Sequence, residues 1–232
     1  MASMFELLLE LPLFRGVTHN KLAQIVGEAK FHFLKYPAGE YVIRSGEACS
    51  HLTFVISGSV RTTIVNANGR FSVSQTLSSP AVIAPDFLFG RLTHYPCDVV
   101  ALNDVSILKI SKGDYVRILD SDPVFLFNYL NILSANAQKA QQGVLSLTTG
   151  AIDERIAFWI IALSQPEGTD IVLTCRKRDL CSLFGLQRAT FEAGLASMKE
   201  RGLLDYTNNE LFIKDRNALR SLLLHNHENC EE

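Results

Sequence analysis

The feature that most constrains the fold of this chain is a heptad of apolar residues near its middle. Apolar side chains recur there at alternating steps of four and three residues, and Asp122 and Pro123, which favour a helix start, stand directly before them. This period is that of a coiled-coil seam, so we predict a dimerisation helix over residues 122–149. The predicted dimer seam consists of Leu126, Leu130, Leu133, Ala137, Ala140, Val144 and Leu147.

The same pattern also fits one amphipathic helix packed on its own domain, and this alternative stays open. Gly143 interrupts the apolar series and is expected to weaken the helix by up to ~1 kcal/mol relative to alanine. Gly150 is expected to end the helix and to form a hinge.

The residues before the helix are typical of a β-roll. Short β-branched or aromatic segments are separated by glycines and by Asn68-Gly69, a strong hairpin signal. The predicted strands are "FHFLKY", "EYVIRS", "LTFVIS", "SVRTTIV", "FSVSQTL" and "SILKIS". We therefore predict an N-terminal jelly-roll (double-stranded β-helix) over residues 1–121, and an α+β fold for the whole chain.

The residues after the helix indicate a second, smaller domain over residues 150–232. The order is a helix, a short strand, a helix that Thr174 caps, a turn at Gly185-Leu186, a helix over residues 187–201 and a hairpin around Asn208-Asn209. This order is typical of a winged helix-turn-helix.

Composition restricts the class of protein. The net charge of −2 gives no bulk attraction to nucleic acid, so any basic surface must be local. The five cysteines are widely spaced, which argues against a disulfide framework and for a reducing compartment. The first residues carry acidic side chains where a signal peptide would be basic, and no apolar run is long enough to span a bilayer. We expect a cytoplasmic protein without a membrane partner.

Positive charge is concentrated in the predicted helix-turn-helix. Between Leu173 and Leu204 six basic residues stand against three acidic ones, an excess of +3. A solvated helix face accounts for the charges equally well. The turn and the following hairpin favour a surface that binds DNA phosphates.

These motifs together resemble the CRP/FNR family of bacterial transcription regulators, over roughly residues 5–214. The N-terminal half contains "LPLFRGVTHNKLAQI", "YPAGEYVIRSGE" and "FVISGSVRTTIV", and the C-terminal half contains "LTCRKRDLCSLFGLQRATFEAGLASMKERGLL". The resemblance implies a cyclic-nucleotide-binding-like roll, a homodimer and a palindromic double-stranded DNA site. It also leaves RNA polymerase open as a further partner.

The resemblance assigns DNA contacts to particular positions. Thr174 and Thr190 would hold phosphates, and Arg188 would contact a base or a phosphate at the start of the recognition helix. The family usually has Glu and Arg where this chain has Ala189 and Ala193, so an unusual recognition code is expected. Glu192 is a candidate for cytosine, and Gln187 for adenine. The full predicted set is Thr174, Lys177, Gln187, Arg188, Thr190, Glu192 and Lys199.

The phosphate-binding cassette of the roll departs from the family pattern. Ala84-Pro85 stands in place of Gly-Glu, and Pro96-Cys97-Asp98 stands in place of Arg and a small hydroxyl residue. Proline offers no N–H to a phosphate, and Asp98 would repel one. Cyclic AMP bound in the usual mode is therefore not expected, and Arg91 is either a substitute anchor or an exposed loop residue. The predicted effector pocket consists of Ala84, Pro85, Asp86, Phe87, Leu88, Arg91, His94 and Cys97.

Other effectors remain open. Phe87, Leu88, Phe89 and Leu92 either line an apolar pocket for a small molecule or belong to the core. Haem is an alternative with His94 or Cys97 as axial ligand, and Cys97 is also a candidate redox switch. An iron–sulfur cluster is not expected, because the first cysteine is Cys49.

No metal site is predicted, and the tail "HNHENCEE", with His225, His227 and Cys230, is interpreted as a polar end. An enzyme of the cupin type would need a His-x-His pair, which His32, His51 and His94 do not form. A non-catalytic interaction protein that has lost DNA recognition is a third hypothesis, favoured by Ala189 and Ala193.

Overall fold

The computed structural model describes residues 4–147 and 150–228, with side chains from residue 6 to residue 222 within those ranges. The predicted α+β architecture is confirmed: a β-roll, a long helix and a helix-turn-helix follow one another along the chain. The helices are α1 Met4–Glu10, α2 His19–Glu28, α3 Lys112–Ser121, α4 Pro123–Leu145, α5 Ile152–Leu163, α6 Lys177–Phe184, α7 Arg188–Glu200 and α8 Arg216–Glu228. The strands are β1 Phe31–Tyr36, β2 Tyr41–Ile43, β3 His51–Ser57, β4 Ser59–Val65, β5 Ser72–Ser78, β6 Ala81–Ile83, β7 Asp98–Ala101, β8 Val105–Ser111, β9 Gly168–Thr174, β10 Asp205–Tyr206 and β11 Glu210–Ile213.

The chain folds into two compact units. The first comprises residues 1–62 and 77–136, and the second comprises residues 63–76 and 137–232. The second unit thus includes the tip of the β4–β5 hairpin and the C-terminal part of α4.

The first unit is built on antiparallel strands. One sheet has the order β1-β8-β3-β6, and the strands opposite it have the order β4-β7-β2. Phe14 from a 3-10 turn, Phe54 from β3 and Phe125 from α4 meet in its core with ring centroids 5.9 Å apart for each pair with Phe14. Strands β6 and β7 were not predicted, because the chain around them matched the cassette motif.

The second unit has its own core, centred on the only tryptophan. Trp159 from α5 lies 5.6 Å from the ring of Phe184, which stacks on Phe191 of α7 at 5.9 Å. In this unit β9 lies between β11 and the part of β5 that belongs to it, and Phe71 contacts Trp159 at 5.7 Å. The predicted hairpin is β10–β11 with a turn at residues 207–209.

Helix α4 begins as predicted but ends earlier. The Asp122 carboxylate accepts a hydrogen bond from Val124 N at 2.9 Å, so Asp122 caps it. The helix ends at Leu145, and the prediction that it extends to residue 149 is wrong. The Arg155 side chain binds the carbonyl oxygens of Ser146 and Leu147, which draws them out of the helical ladder. Leu147 therefore lies beyond α4 and packs on the core of the second unit instead of continuing the seam.

Gly143 has a packing role that the heptad does not indicate. A Cβ at this position would collide with the Cβ of Ala162 in α5. The glycine therefore lets α4 and α5 approach at backbone distance, which offsets its low helix propensity.

Candidate DNA-binding surface and effector cassette

A glycine turn joins α6 to α7 as the sequence predicts. Gly185 has φ 63°, in the left-handed region that favours glycine, and ends α6. Leu186 N then donates to the Cys181 carbonyl at 3.0 Å, which closes the turn. Helix α7 begins at Arg188, directly after its N-cap Gln187.

Helix α7 has one buried face and one exposed face. Phe191, Leu195 and Met198 are fully buried in the core of the second unit. The residues on the exposed side of its first two turns include most of the predicted base contacts. They are Gln187, Arg188, Ala189, Thr190 and Ala193.

Two predicted contacts on α7 bind each other. Arg188 Nε donates to Glu192 Oε1 at 2.9 Å, and the pair is one helical turn apart. The Arg188 side chain is 80% exposed and that of Glu192 is 38% exposed. Glu192 is thus already engaged as a hydrogen-bond acceptor on the outer face of the helix.

A cationic groove of about 420 Å³ lies beside the start of α7. Because Cys175 N bonds the Asn209 carbonyl at 2.7 Å, the hairpin turn is held against the start of α6. Lys177 makes no ion pair within the described ranges, and its Nζ lies 4.5 Å from the Tyr206 ring centroid. The groove is lined by Arg176, Lys177, Arg178, Cys181, Arg188, Asn208 and Asn209.

Thr174 and Lys199 do not belong to the first turns of α7. Thr174 is the last residue of β9, and the N-cap of α6 is Arg176, so the prediction that Thr174 caps this helix is wrong. Strand pairing continues to Cys175, which keeps Thr174 extended. Lys199 is 11 residues after Arg188, about 16 Å along the helix, and binds Asp205 at 2.7 Å.

Ion pairs reduce the positive charge that the sequence count suggests. Lys199 pairs with Asp205, and Arg201 pairs with Asp153 at 2.7 Å. Both acids lie outside the counted stretch, and including them lowers the excess from +3 to +1. In the groove, Arg176 and Arg178 pair with Asp179 and Arg188 pairs with Glu192, so Lys177 is the one groove cation without an ion pair in the described ranges.

Two side chains of α4 form hydrogen bonds with the cassette of the roll. Ala84 has φ 45° and precedes a 3-10 turn, Pro85–Phe87. Tyr129 donates its hydroxyl to the Pro85 carbonyl at 2.9 Å, and Asn136 Nδ2 donates to Asp86 Oδ1 at 2.7 Å. Burial raises the pKa of Tyr129 to about 12, so this phenol stays protonated and remains a donor.

The predicted pocket residues differ in exposure. Leu88 and Cys97 are buried, whereas Asp86, Arg91 and His94 are exposed. Burial raises the pKa of the Cys97 thiol to about 12, and the nearby charge of Asp98 adds to this effect, so the thiolate is disfavoured at neutral pH.

Two buried polar residues in the roll were not predicted. The Tyr95 hydroxyl donates to the His51 carbonyl at 2.9 Å and lies 3.0 Å from Thr53 Oγ1. Tyr95 also begins an alternating buried series, Tyr95, Cys97, Val99 and Ala101. That period-two pattern in the sequence was the signal for β7 and for Tyr95.

Metal-ligand clusters and membrane-spanning helices are both missing from the described part of the chain. Within the residues whose side chains are described, no group of three or more metal-ligand side chains occurs, and no described helix has the length and hydropathy of a membrane span. The side chains of His225 and His227, and all of Cys230, lie outside the described residues.

Comparisons with known proteins agree with this architecture. A cyclic nucleotide-binding domain model matches residues 33–122, and a Crp-like helix-turn-helix domain model matches residues 154–222. The cyclic AMP receptor protein of Thermus thermophilus is 24% identical over 198 residues, covering 83% of this chain and 88% of that protein. The regulatory protein YeiL of Escherichia coli O157:H7 is 28% identical over 197 residues, covering 84% and 85%.

The crystal structure of the Thermus thermophilus catabolite activator protein has a TM-score of 0.49 at 17% identity, and the match covers 93% of this chain and 99% of that one. The two domain models, matched in this order, and the curated relatives are those of one regulator family. The chain belongs to the CRP/FNR family of transcription regulators.

Proposed function

We propose that this protein is a cytoplasmic, homodimeric regulator that binds a palindromic DNA site through α7. Residues 1–121 form its effector roll, residues 122–149 its dimerisation segment and residues 150–232 its DNA-binding domain. The observation that carries the proposal is the cationic groove of Lys177 and Arg188 beside the exposed end of α7. A recognition helix beside a cationic groove can contact phosphates and base edges at the same time.

Six of the seven predicted DNA contacts have different roles in this proposal, and the seventh, Glu192, is treated below. Lys177 contacts phosphate from the groove, and Arg188 reaches the base edges. Gln187 and Thr190 are exposed at the first turn of α7, within reach of adenine and of phosphate respectively. Thr174 and Lys199 are peripheral phosphate contacts.

The exposed face of α4 supports a second copy of the chain as its partner. Leu126, Leu130 and Val144 of the predicted seam are 41%, 45% and 67% exposed, and Phe127 beside them is 61% exposed. Ala137 and Ala140 are also exposed. A heptad-spaced apolar stripe is the surface that a parallel helix pair buries. Leu130→Glu is expected to convert a dimer to a monomer in sedimentation equilibrium, whereas the exposed Gln138→Glu is not.

The roll is proposed not to bind a cyclic nucleotide in the usual mode. Pro85 has no N–H, and its carbonyl is already bound by Tyr129. The Asp98 carboxylate, which stands where the family has a small hydroxyl residue or Arg, accepts a hydrogen bond from Ser45 N at 2.8 Å and would repel a phosphate. Titration calorimetry with cyclic AMP and cyclic GMP is expected to show no binding, and saturable heat would contradict this part of the proposal.

DNA binding is tested by fluorescence anisotropy with duplexes from the region upstream of the protein's own coding sequence. Affinity is expected to fall with salt, and Lys177→Ala should lower the slope of log affinity against log salt by about one, because one phosphate is no longer neutralised. Arg188→Ala should weaken binding and relax sequence preference. Arg61→Ala, an exposed arginine of β4, is the matched control and should change neither.

The same experiment separates the regulator from an interaction protein that has lost DNA recognition. Weak binding that is equal for all sequences and unchanged by Arg188→Ala would favour the interaction protein. RNA polymerase remains a predicted partner, to be tested by co-sedimentation on a duplex that carries the selected site.

A further inference from the structure

The hydrogen bond between Arg188 and Glu192 uses one particular atom of the guanidinium. Glu192 Oε1 accepts from Nε, at 2.9 Å. An arginine has one N–H on Nε and two on each terminal nitrogen. No other hydrogen bond or ion pair of Arg188 occurs in the described part of the chain, so both terminal nitrogens remain available.

Two terminal nitrogens of a fixed arginine match one base. Guanine presents O6 and N7 to the major groove, and a bidentate arginine is the commonest specific contact to this pair of acceptors. A side chain that is 80% exposed loses rotamer freedom when it binds. The hydrogen bond to Glu192 restricts the rotamers of Arg188 before DNA binds, which lowers the conformational-entropy cost of ordering its guanidinium on DNA.

The residues around Arg188 and Glu192 do not compete with the terminal nitrogens of Arg188 for a guanine. Of the exposed residues that follow Arg188 on α7, Ala189 and Ala193 are too short to compete for the same base edge, and Thr190 is assigned to a phosphate in the proposed function. Glu192 Oε1 already accepts the hydrogen bond from Arg188 Nε, so this oxygen is not a free acceptor for a base.

We infer that Glu192 is a positioning residue that holds Arg188 for bidentate contact with a guanine, rather than a reader of cytosine. The inference rests on the proposed function and deepens it, since it names the base that each half-site must contain. It also assigns Arg188 and Glu192 to one base pair instead of two.

The test selects binding sites for the full-length protein from a random duplex pool. The wild type is expected to select a guanine in each half-site, and Arg188→Ala and Glu192→Ala should relax the same base pair. The fall in preference with Arg188→Ala is about 5- to 150-fold, the usual discrimination of a bidentate contact. Glu192→Gln retains an acceptor and should keep more of this preference than Glu192→Ala.

Two further measurements and one control variant separate positioning from a general structural effect. The double variant Arg188→Ala/Glu192→Ala should match Arg188→Ala alone, because Glu192 acts through Arg188. Replacing the selected guanine by 7-deazaguanine removes N7 and should weaken the wild type but not Arg188→Ala. Asp205→Asn, which breaks a similarly exposed pair with Lys199 at the other end of α7, should leave the selected sequence unchanged.

The possible failures are distinguishable. If Glu192→Ala relaxes a base pair that Arg188→Ala leaves intact, or if the two effects add in the double variant, the positioning role is overturned while DNA recognition stands. If the wild type selects no sequence at all, the proposed function fails and the inference fails with it.

Discussion

Replacing Arg155 by methionine tests the interaction that joins the end of α4 to the helix-turn-helix. Arg155 is 8% exposed, and no carboxylate within the described ranges pairs with it. Its Nε donates to the Ser146 carbonyl at 3.1 Å, and its Nη2 donates to the carbonyls of Leu147 and, at 2.6 Å, Phe184. Phe184 is the last residue of α6, so the guanidinium binds carbonyls that the ends of two helices leave without partners.

The magnitude follows from these three acceptors. A buried carbonyl left without a partner costs about 1–3 kcal/mol. Methionine keeps most of the apolar volume and removes the desolvation cost of a buried charge, which offsets part of the loss. We expect Arg155→Met to lower the free energy of unfolding by about 3 kcal/mol.

The assay is urea unfolding followed by the fluorescence of Trp159, which lies in the same core as Phe184. With a denaturant slope of about 1–3 kcal/mol/M, the midpoint should fall by about 1–3 M. Arg178→Met, at a side chain 79% exposed, is the control and should change stability by less than about 0.5 kcal/mol. An Arg155→Met midpoint as close to wild type as that of the control would refute the reasoning.

Two other predictions concern single positions. Gly143→Ala should destabilise the protein by about 1 kcal/mol or more in urea unfolding, because the clash with Ala162 outweighs the gain in helix propensity. Gly27→Ala in α2 is the control, because a Cβ there meets open space. It should be neutral or stabilising by up to ~1 kcal/mol. A hydrogen bond from Ser111 is the main cause that lowers the pKa of Asp114, so the ionised carboxylate stabilises the folded state above the unfolded pKa of about 3.9. The difference in unfolding free energy between wild type and Asp114→Asn should therefore shrink as pH falls from about 4 through the lower folded pKa, and a difference that is constant with pH would contradict this assignment.

Local patterns predicted the elements whose causes are local. Strands β1 and β4 have the predicted bounds, because their β-branched and aromatic runs are limited by turn residues on both sides. The turn before α7 lies where it was predicted, because the chain needs a left-handed residue there and glycine, at position 185, adopts that conformation without strain. The end of α4 was not predictable in this way, since it depends on Arg155, a side chain from the next helix.

The candidate site shows the same limit. The spacing of Arg188 and Glu192 indicates an i,i+4 pair, but the sequence does not say which guanidinium nitrogen is used. The pair of Lys199 with Asp205 forms across a turn, and that of Arg201 with Asp153 spans two helices of one domain, so a count of charges along the stretch missed both. The hydrogen bonds of Tyr95 required the packing of the roll.

The closed packing around Pro85 and Cys97 has an evolutionary consequence. Cys97 is 3% exposed, so Cys97→Arg alone would bury an unpaired cation before any phosphate were present to compensate it. Such a charge costs several kcal/mol, a large part of the roughly 5–15 kcal/mol that stabilises a typical domain. Changing Pro85 first would restore an N–H but would leave the Asp98 carboxylate in the cassette. If the roll lacks the usual phosphate site as proposed, neither substitution alone is expected to create one.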